Sequence, residues 1–396
     1  MQPLSRVLVI NGPNLNLLGT RRPEIYGPTT LAELETACRS WGNASGVAVD
    51  AFQSNHEGAI IDRIHQARDD ADAIVINPGA FSHYSYAIHD ALEAVEKPTV
   101  EVHISDITSR EAWRSLSVIS PACLATIYGR GIGGYRDALR HLIFRTEHPA
   151  RTLAYGSHPD QIGDLRIPGG SGPHPVATLL HGGFWRGPWG RDLMDGLAVD
   201  LTKRGIATWN IEYRRSRGGW HDAFSDVATA VDHLAGLSAD SQLDPERVAV
   251  VGHSAGGQLA LWAAGRTRLP ADSPWAAPLI QTRLAVALAG VVDLLMASQD
   301  HLGEDAVVQF FGDPPDAGAS PAGLLPLGAP QLVAHGTADD RVPVEHSRAY
   351  VERAQASGDR VEYLEFEGVD HFAMIDETSN AWDSIATIAV KRLAAG

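Results

Sequence analysis

The chain has 396 residues, 44% of them hydrophobic, and its 48 acidic against 32 basic residues give a formal net charge of −16. That charge disfavours nonspecific binding to nucleic acid or an anionic membrane, and the length suffices for two to three domains, each with its own core. Two cysteines, Cys38 and Cys123, make no disulfide scaffold and fit a reducing cytoplasm; the apolar stretch before Asn11 is too short for a secretion signal, and no run of about 18 apolar residues is present to span a membrane.

Arg6–Ile10 reads as a buried strand running into the polar turn Asn11-Gly12-Pro13-Asn14. Leu31–Trp41 has helical periodicity, Val47–Phe52 is a strand, Gly58–Arg68 a helix, Ala73–Ile76 a strand and Tyr84–Val95 a helix. Thr99–Val102, a short helix over Glu111–Leu116, the strand Ala125–Ile127 and a closing helix Tyr135–Phe144 complete the first unit. Alternation of this kind predicts a parallel sheet covered on both faces, with ligands above the strand C-termini. No G-x-G-x-x-G follows the first strand, so a dinucleotide fold is disfavoured. Polar residues gather at those ends: Asn11 and Asn14; Asn55, a candidate helix cap, with His56 and Glu57; Asn77, His83 and Tyr84; Glu101, His103, Ser105 and Asp106. Arg21, Arg22 and Tyr26 lie in a loop punctuated by Gly and Pro.

The segments NGPNLNLLG, R-x-P-x-x-YG, FQSNHEG, INPGAFSH and EVHISD, with a later REAWR, resemble type II 3-dehydroquinate dehydratase over about residues 5–144. The resemblance implies a flavodoxin-like domain, loss of water from 3-dehydroquinate to give 3-dehydroshikimate without metal or Schiff base, and a homo-oligomer, a trimer or a dodecamer built from trimers. It makes Tyr26 the base. A phenol titrates near pH 10, so Arg21 would stabilise its anion. Asn14 would hold a water or polarise the enolate, and His103, oriented by Glu101, would protonate the leaving hydroxyl. Asn77, His83, Ser105, the backbone at Ile104 and Arg114 would hold the carboxylate and ring hydroxyls. Arg110 would support the loop or the pocket, the Arg21–Tyr26 loop would close as a lid, and Asp90 would reach a neighbouring site. Three positions depart from the family: His89 where arginine is common, Asp106 where asparagine is common, and Leu116 where a histidine is usual. Asp106 is expected to weaken the pocket or repel an anion.

The seam falls at residues 147–151, between a first domain at 1–146 and a second at 152–396. In the second, Thr152–Tyr155 and Gln161–Ile167 are candidate strands, and 168–175 is a turn-rich loop. Val176–Leu180 is a strand ending in His181-Gly182-Gly183-Phe184-Trp185, Arg191–Lys203 is helical, and Ile206–Ile211 is a strand ending in Glu212-Tyr213-Arg214-Arg215. After a helix at Ala223–Leu234, Val248–Gln258 reads strand, sharp turn, helix, with Gly252-His253-Ser254-Ala255-Gly256 fitting G-x-S-x-G. This nucleophile elbow lifts one serine hydroxyl above the end of a parallel sheet. Strands follow at Leu284–Leu288, Leu332–Ala334 and Val361–Phe366, and helices at Val344–Ala356 and Trp382–Leu393, while 266–281 and 296–329 interrupt the core.

Asp339 and His371 follow later strands, so nucleophile, acid and base occur in the order of an α/β-hydrolase. His371 would take the Ser254 proton while Asp339 fixes its tautomer; Asp340 is the rival acid. The N–H groups of Ala255 and of Gly183 or Phe184 would form the oxyanion hole. HGGFW, EYRR, GHSAGG, HGTADDRVP and DHF resemble the HGG-type esterases, including kynurenine formamidase-like relatives. Trp185, Tyr213, Arg214, Trp220 and Phe372 are expected at the pocket rim. No histidine–aspartate array has metal-ligand spacing, so neither metal nor cofactor is expected. The sequence thus predicts a cytoplasmic bifunctional enzyme acting on small molecules: a flavodoxin-like dehydratase of shikimate or quinate metabolism followed by a serine esterase. An aryl formamidase, or a first domain reduced to an oligomerisation scaffold, are the alternatives.

Overall fold

In the computed structural model, which describes residues 4–237 and 242–394, the chain divides into two compact units, Met1–Pro149 and Ala150–Gly396. Among the described residues no helix is long and apolar enough to cross a membrane.

The first unit carries five strands: β1 (Arg6–Asn11), β2 (Ala48–Gln53), β3 (Ala73–Asn77), β4 (Thr99–His103) and β5 (Ala125–Tyr128). All pair in parallel, in the order β2-β1-β3-β4-β5. β3 and β4 are buried along their whole length, so β3 reads as the apolar run Ala73–Ile76 with no alternation, while β4, TVEVH, carries Glu101 inside the sheet. Leu34, Cys38, Tyr135 and Leu139 pack on one face, and Ile60, Ile64, Ile88 and Leu92 on the other. Each such aliphatic side chain contributes about 1.5–3 kcal/mol through removal from water. The chain order reverses between β1 and β3, so Asn11 and Asn77 stand side by side at the switch point, where such sheets bind ligands.

Local signals set the helix starts. Thr30 and Glu33 form a reciprocal capping box ahead of Leu31–Ala44. The Ser85 hydroxyl accepts from the Ile88 N–H, so the next helix begins at Tyr86, not at Tyr84. The helix expected over Glu111–Leu116 is only the single 3₁₀ turn Ala112–Arg114. Asn55 does not cap a helix: its Oδ1 accepts from the Asn14 N–H at 2.8 Å and from Gln53 Nε2 at 3.2 Å, tying the turn after β1 to the end of β2.

The second unit has eight strands: β6 (Arg151–Ala154), β7 (Ile162–Arg166), β8 (His174–Leu180), β9 (Ala207–Ile211), β10 (Leu243–His253), β11 (Thr282–Leu288), β12 (Gln331–Gly336) and β13 (Val361–Phe366). Their order is β13-β12-β11-β10-β8-β9-β7-β6, with antiparallel pairing only at β9-β7-β6. Trp209, Tyr213, Phe224 and Trp262 fill one face; Met194, Leu197, Trp382 and Ile385 fill the other. The interruption at 296–329 contains helical segments, Leu294–Gln299, Leu302–Phe311 and two 3₁₀ turns.

The turn from β10 into the helix Ala255–Ala264 leaves no spare volume. A Cβ on Gly256 would stand 2.1 Å from the Leu180 carbonyl oxygen of β8. Gly256→Ala is therefore expected to destabilise this unit by about 1–3 kcal/mol. Urea unfolding followed by tryptophan fluorescence measures it, because seven of the nine tryptophans lie beyond residue 150. An unchanged midpoint would show that the backbone yields there without cost.

Candidate active sites

The first site forms where β1, β3 and β4 end. Buried Glu101 is surrounded by donors: His103 Nε2 at 2.9 Å, the Ser117 hydroxyl at 2.8 and 2.9 Å to its two oxygens, and the Thr126 hydroxyl at 3.3 Å. A carboxylate can only accept here, so His103 gives up its Nε2–H and keeps Nδ1 for other work. The His83 ring lies 6.4 Å from the His103 ring and nearly parallel to it. His83 Nδ1 donates to the Leu116 carbonyl at 2.8 Å. Burial, opposed by that hydrogen bond, pushes the His83 pKa below the usual histidine value, with the neighbouring His103 and Arg114 acting in the same direction as burial.

Tyr26 ends a single helical turn, Pro23–Tyr26. Its hydroxyl accepts from Arg110 Nη1 at 3.0 Å, and the same nitrogen reaches Ser105 Oγ at 3.3 Å. The guanidinium on the phenol oxygen is thus that of Arg110, expected as loop or pocket support. Arg21 instead faces the ring, 5.3 Å from its centroid. Asn14 is exposed in a left-handed conformation, φ 66°. Asn77 is buried: its Nδ2 donates to the Tyr135 hydroxyl at 2.9 Å, which donates to Asn11 Oδ1 at 2.7 Å. The Ile104 carbonyl accepts from Gly131 N–H. Arg114 Nε donates to Glu111 at 2.9 Å, and its guanidinium lies 3.9 Å over the Trp113 ring, so it is already engaged by its own turn. Asp90 is exposed on its helix. Asp106 Oδ1 accepts from the Thr108 N–H and hydroxyl at 2.9 and 2.7 Å, so this oxygen closes a local turn. A cavity of about 510 Å³ adjoins Tyr26, Ile104, Ser105 and the turn 129–133.

The second site stands at the ends of β8, β10 and β12. Ser254 has φ 56° and ψ −118°, outside the ordinary regions for a residue with a side chain; the elbow enforces it. His371 Nδ1 donates to Asp339 Oδ2 at 2.6 Å, leaving Nε2 as the basic nitrogen. Asp339 Oδ1 accepts the N–H groups of Arg341 and Val342 at 2.8 and 2.9 Å, and Oδ2 also accepts from His335 Nε2 at 3.1 Å. Burial by itself would raise the Asp339 pKa, but the His335 and His371 hydrogen bonds more than offset it and hold the carboxyl far below the usual range. Asp340 is exposed and pairs with Arg341; Asp370 accepts from the N–H groups of Phe372 and Ala373.

The loop after β8 meets this serine. His181 Nδ1 donates to the Gly182 carbonyl at 2.7 Å, and Arg186 N–H to the Gly183 carbonyl at 3.0 Å. The N–H groups of Gly183 and Phe184 have no acceptor among the described residues. Ala255, first in its helix, likewise has no intrahelical acceptor for its N–H. Gly183 has φ 110°, and a Cβ there would strike Trp189 at 2.2 Å, so only glycine suits it. Beneath the loop, buried Glu212 holds His181 Nε2 at 3.0 Å, pairs with Arg215 and accepts the Arg191 N–H at 3.1 Å. Burial would raise the Glu212 pKa; Arg215, His181 and Arg191 together drive it well below the usual value.

The expected aromatic rim is largely not a rim. Tyr213 is fully buried, stacks on His181 at 4.4 Å and donates its hydroxyl to the His181 carbonyl. Trp185 is buried against Phe310 and Phe311. Arg214 is held by Asp226 and Asp222, and Trp220 packs on Phe224, Trp275 and Phe311. Phe372 is 38% exposed and stacks on Trp189 at 5.9 Å, next to His371. A larger cavity, about 870 Å³, opens between Thr282, Pro330, Val361 and Arg392 at the strand N-termini, away from Ser254. Sequence reasoning missed Ser117, Tyr135, His335 and the contact from Arg110 to the phenol; HGTAD and REAWR contained two of the four, but without spacing that assigns a partner.

Comparisons with known proteins divide along the same line. A family model described as Dehydroquinase class II matches residues 5–143, and one described as BD-FAE matches residues 164–353. A catabolic 3-dehydroquinase 1 of Neosartorya fischeri is 54% identical over 136 residues, 34% of this chain and 91% of that protein. A 3-dehydroquinate dehydratase of Bacillus cereus is 52% identical over 136 residues, 34% of this chain and 93% of that protein. A thermophilic esterase of Thermogutta terrifontis superposes with TM-score 0.52 at 23% identity, covering 62% of this chain and 93% of its own. A carbohydrate esterase from gut microbiota gives 0.53 at 18%, covering 61% and 95%. These two likenesses bear on fold alone, an α/β-hydrolase fold for the second unit; the five-stranded parallel sheet makes the first unit flavodoxin-like.

The depressed pKa values of Asp339 and Glu212 set an acid limit to stability. A carboxyl whose folded pKa lies below its unfolded value, about 4, stabilises fully above that value and loses the contribution as pH falls towards the folded pKa. The second unit should therefore hold its stability from pH 7 to about 5 and lose it progressively below about 4. Glu212→Gln should cost about 3 kcal/mol at pH 7, by leaving buried Arg215 without its carboxylate, and should flatten the acid slope. Urea titrations across pH on both proteins test this; equal slopes would remove Glu212 as a cause.

Proposed function

The chain belongs, through residues 5–143, to the class II dehydroquinases, and from that premise we propose that this unit removes water from 3-dehydroquinate, yielding 3-dehydroshikimate, through Tyr26 and His103. The Arg110 guanidinium at 3.0 Å from the Tyr26 hydroxyl carries the reading. It sets a positive charge against the phenol oxygen, favouring the anion that takes a proton beside the ketone. Arg21, facing the ring, adds to the same field. Asn14 holds the water that polarises the enolate. His103, its Nε2–H held by Glu101, acts as the imidazolium: its Nδ1–H passes to the departing hydroxyl, which leaves as water, and the ring is left neutral. Asn77, His83, Ser105, the Ile104 backbone and Arg114 hold the carboxylate and ring hydroxyls, with Arg114 leaving Glu111 to do so. Asp90 completes the site of a neighbouring subunit in a trimer or dodecamer. The local turn made by Asp106 favours an active unit over a scaffold, because this carboxylate already has donors of its own.

The second unit is a hydrolase of the BD-FAE kind, so the chain is a bifunctional enzyme. We read residues 147–151 as the joint. Ser254 Oγ attacks an ester carbonyl while His371 Nε2 takes its proton. The N–H groups of Gly183, Phe184 and Ala255 stabilise the tetrahedral oxyanion. His371 then protonates the leaving alcohol, and water releases the acyl group by the same steps. No hydrogen bond joins Ser254 Oγ to His371 among the described residues, so that link closes as substrate seats. The stacked Trp189 and Phe372 beside His371 suit a flat group, and for that reason an aryl formamide is the second reading. Joined to the first unit, the esterase is expected to free a quinate- or shikimate-type acid.

Three measurements test these roles. With 3-dehydroquinate, followed by enone absorbance, Tyr26→Phe should lower kcat at least about 10³-fold and Arg110→Ala about 10²-fold; robust turnover by Tyr26→Phe would exclude this base. Ser254→Ala should remove ester hydrolysis, on the order of 10⁴-fold or more, and leave dehydration intact. A panel of quinate and shikimate esters beside aryl formamides ranks the substrates, and no turnover of any of those esters would refute the metabolic link.

A further inference from the structure

His335 has no part in the reaction described above, yet it is fully buried and makes three polar contacts at the heart of the second site. Its Nε2 is 3.1 Å from Asp339 Oδ2 and 2.9 Å from the Val342 carbonyl. Both partners are acceptors, so Nε2 carries the proton. Its Nδ1 is 2.7 Å from Ser347 Oγ, a hydroxyl able to donate to that nitrogen. The directions run from the Ser347 hydroxyl through the His335 ring to Asp339, where the His371 Nδ1–H arrives on the same oxygen. We propose that His335 is a positioning residue of the hydrolase, holding the Asp339 carboxylate in register with His371, with Ser347 anchoring the His335 ring through Nδ1. The inference rests on the reading of Ser254, His371 and Asp339 as the hydrolytic set.

The physical consequence is specific. Oδ2 shares its negative charge between two imidazole N–H groups. Take the His335 donor away and the whole of that oxygen turns to His371, which becomes more basic. The lost contact also frees the carboxylate to rotate about its Oδ1 bonds, so His371 is less well aimed at Ser254. Other titratable groups around His371 are constant in the comparison. His253, on β10, has its ring 4.5 Å away and donates Nε2–H to the His371 carbonyl at 3.0 Å. Asp370 is bonded to the N–H groups of Phe372 and Ala373. Glu365, on β13, is paired with Arg348.

The test uses the full chain and a fluorophosphonate probe, so it does not depend on knowing the ester. The rate of Ser254 labelling, read by intact mass, is measured against pH for the wild type, His335→Phe, His335→Gln and Ser347→Ala. In His335→Phe the plateau rate should fall about tenfold and the acid limb should move up by about half a pH unit or more. His335→Gln places an amide N–H where Nε2 stood and should restore the limb towards the wild type, whereas Ser347→Ala should shift it partway. Thermal melts accompany each variant. If His335→Phe does not fold, the Gln and Ser347→Ala profiles decide, and an unshifted limb in Ser347→Ala overturns the proposal. A labelled wild type whose limb matches that of His335→Phe also overturns it, leaving His335 a packing residue. A wild type that is not labelled at any pH overturns the hydrolytic reading itself, and the inference with it.

Discussion

A buried carboxylate held against an imidazole recurs at both sites and governs what each can do. Glu101 holds His103, Glu212 holds His181, and Asp339 holds His371 and His335. Removing a carboxylate from water is costly unless several donors replace the lost hydration, and each of these has at least three. The donors fix the carboxylate; at His103 and His371 the carboxylate then fixes which imidazole nitrogen bears the proton, and the remaining nitrogen faces the chemistry proposed above. At His181 the Gly182 carbonyl takes the Nδ1–H, while Nε2 lies against both Glu212 and Arg215, so this cluster shapes an oxyanion loop.

The parallel sheets explain why such pairs arise here. Consecutive parallel strands end on one edge, and the loops beyond them are where polar groups can leave the core. Glu101 is inside β4 and His103 closes it; His335 is inside β12 and Asp339 follows it. A carboxylate at a strand end is low enough to be buried and near enough to the edge to touch a residue that is not.

Much of this was legible beforehand. Unbroken apolar runs marked the central strands, and strand, turn and helix around Ser254 marked the elbow, because only small residues fit where Gly256 meets Leu180. The polar residues after β1, β3 and β4 were identified from position alone. The misreadings share a cause. Asn55 reads as a candidate cap and Tyr213 as a rim residue because sequence shows that a polar or aromatic group is present, not which way it turns. Arg110 and Arg21 are equally plausible partners for a phenol until the backbone brings one guanidinium to the oxygen and the other to the ring.

The sequence by itself determined two α/β units, the strand order of chemistry along the chain, and the residue types that acid–base and acyl transfer need, because periodicity and turn composition are local properties. Only the tertiary structure decided the pairings. That Tyr26 meets Arg110 across 84 residues, Tyr135 meets Asn11 across 124, and Asp339 is shared by His335 and His371 follows from how strands far apart in the chain are set side by side. Burial then decides the outcome: a carboxylate with no water must take every donor within reach.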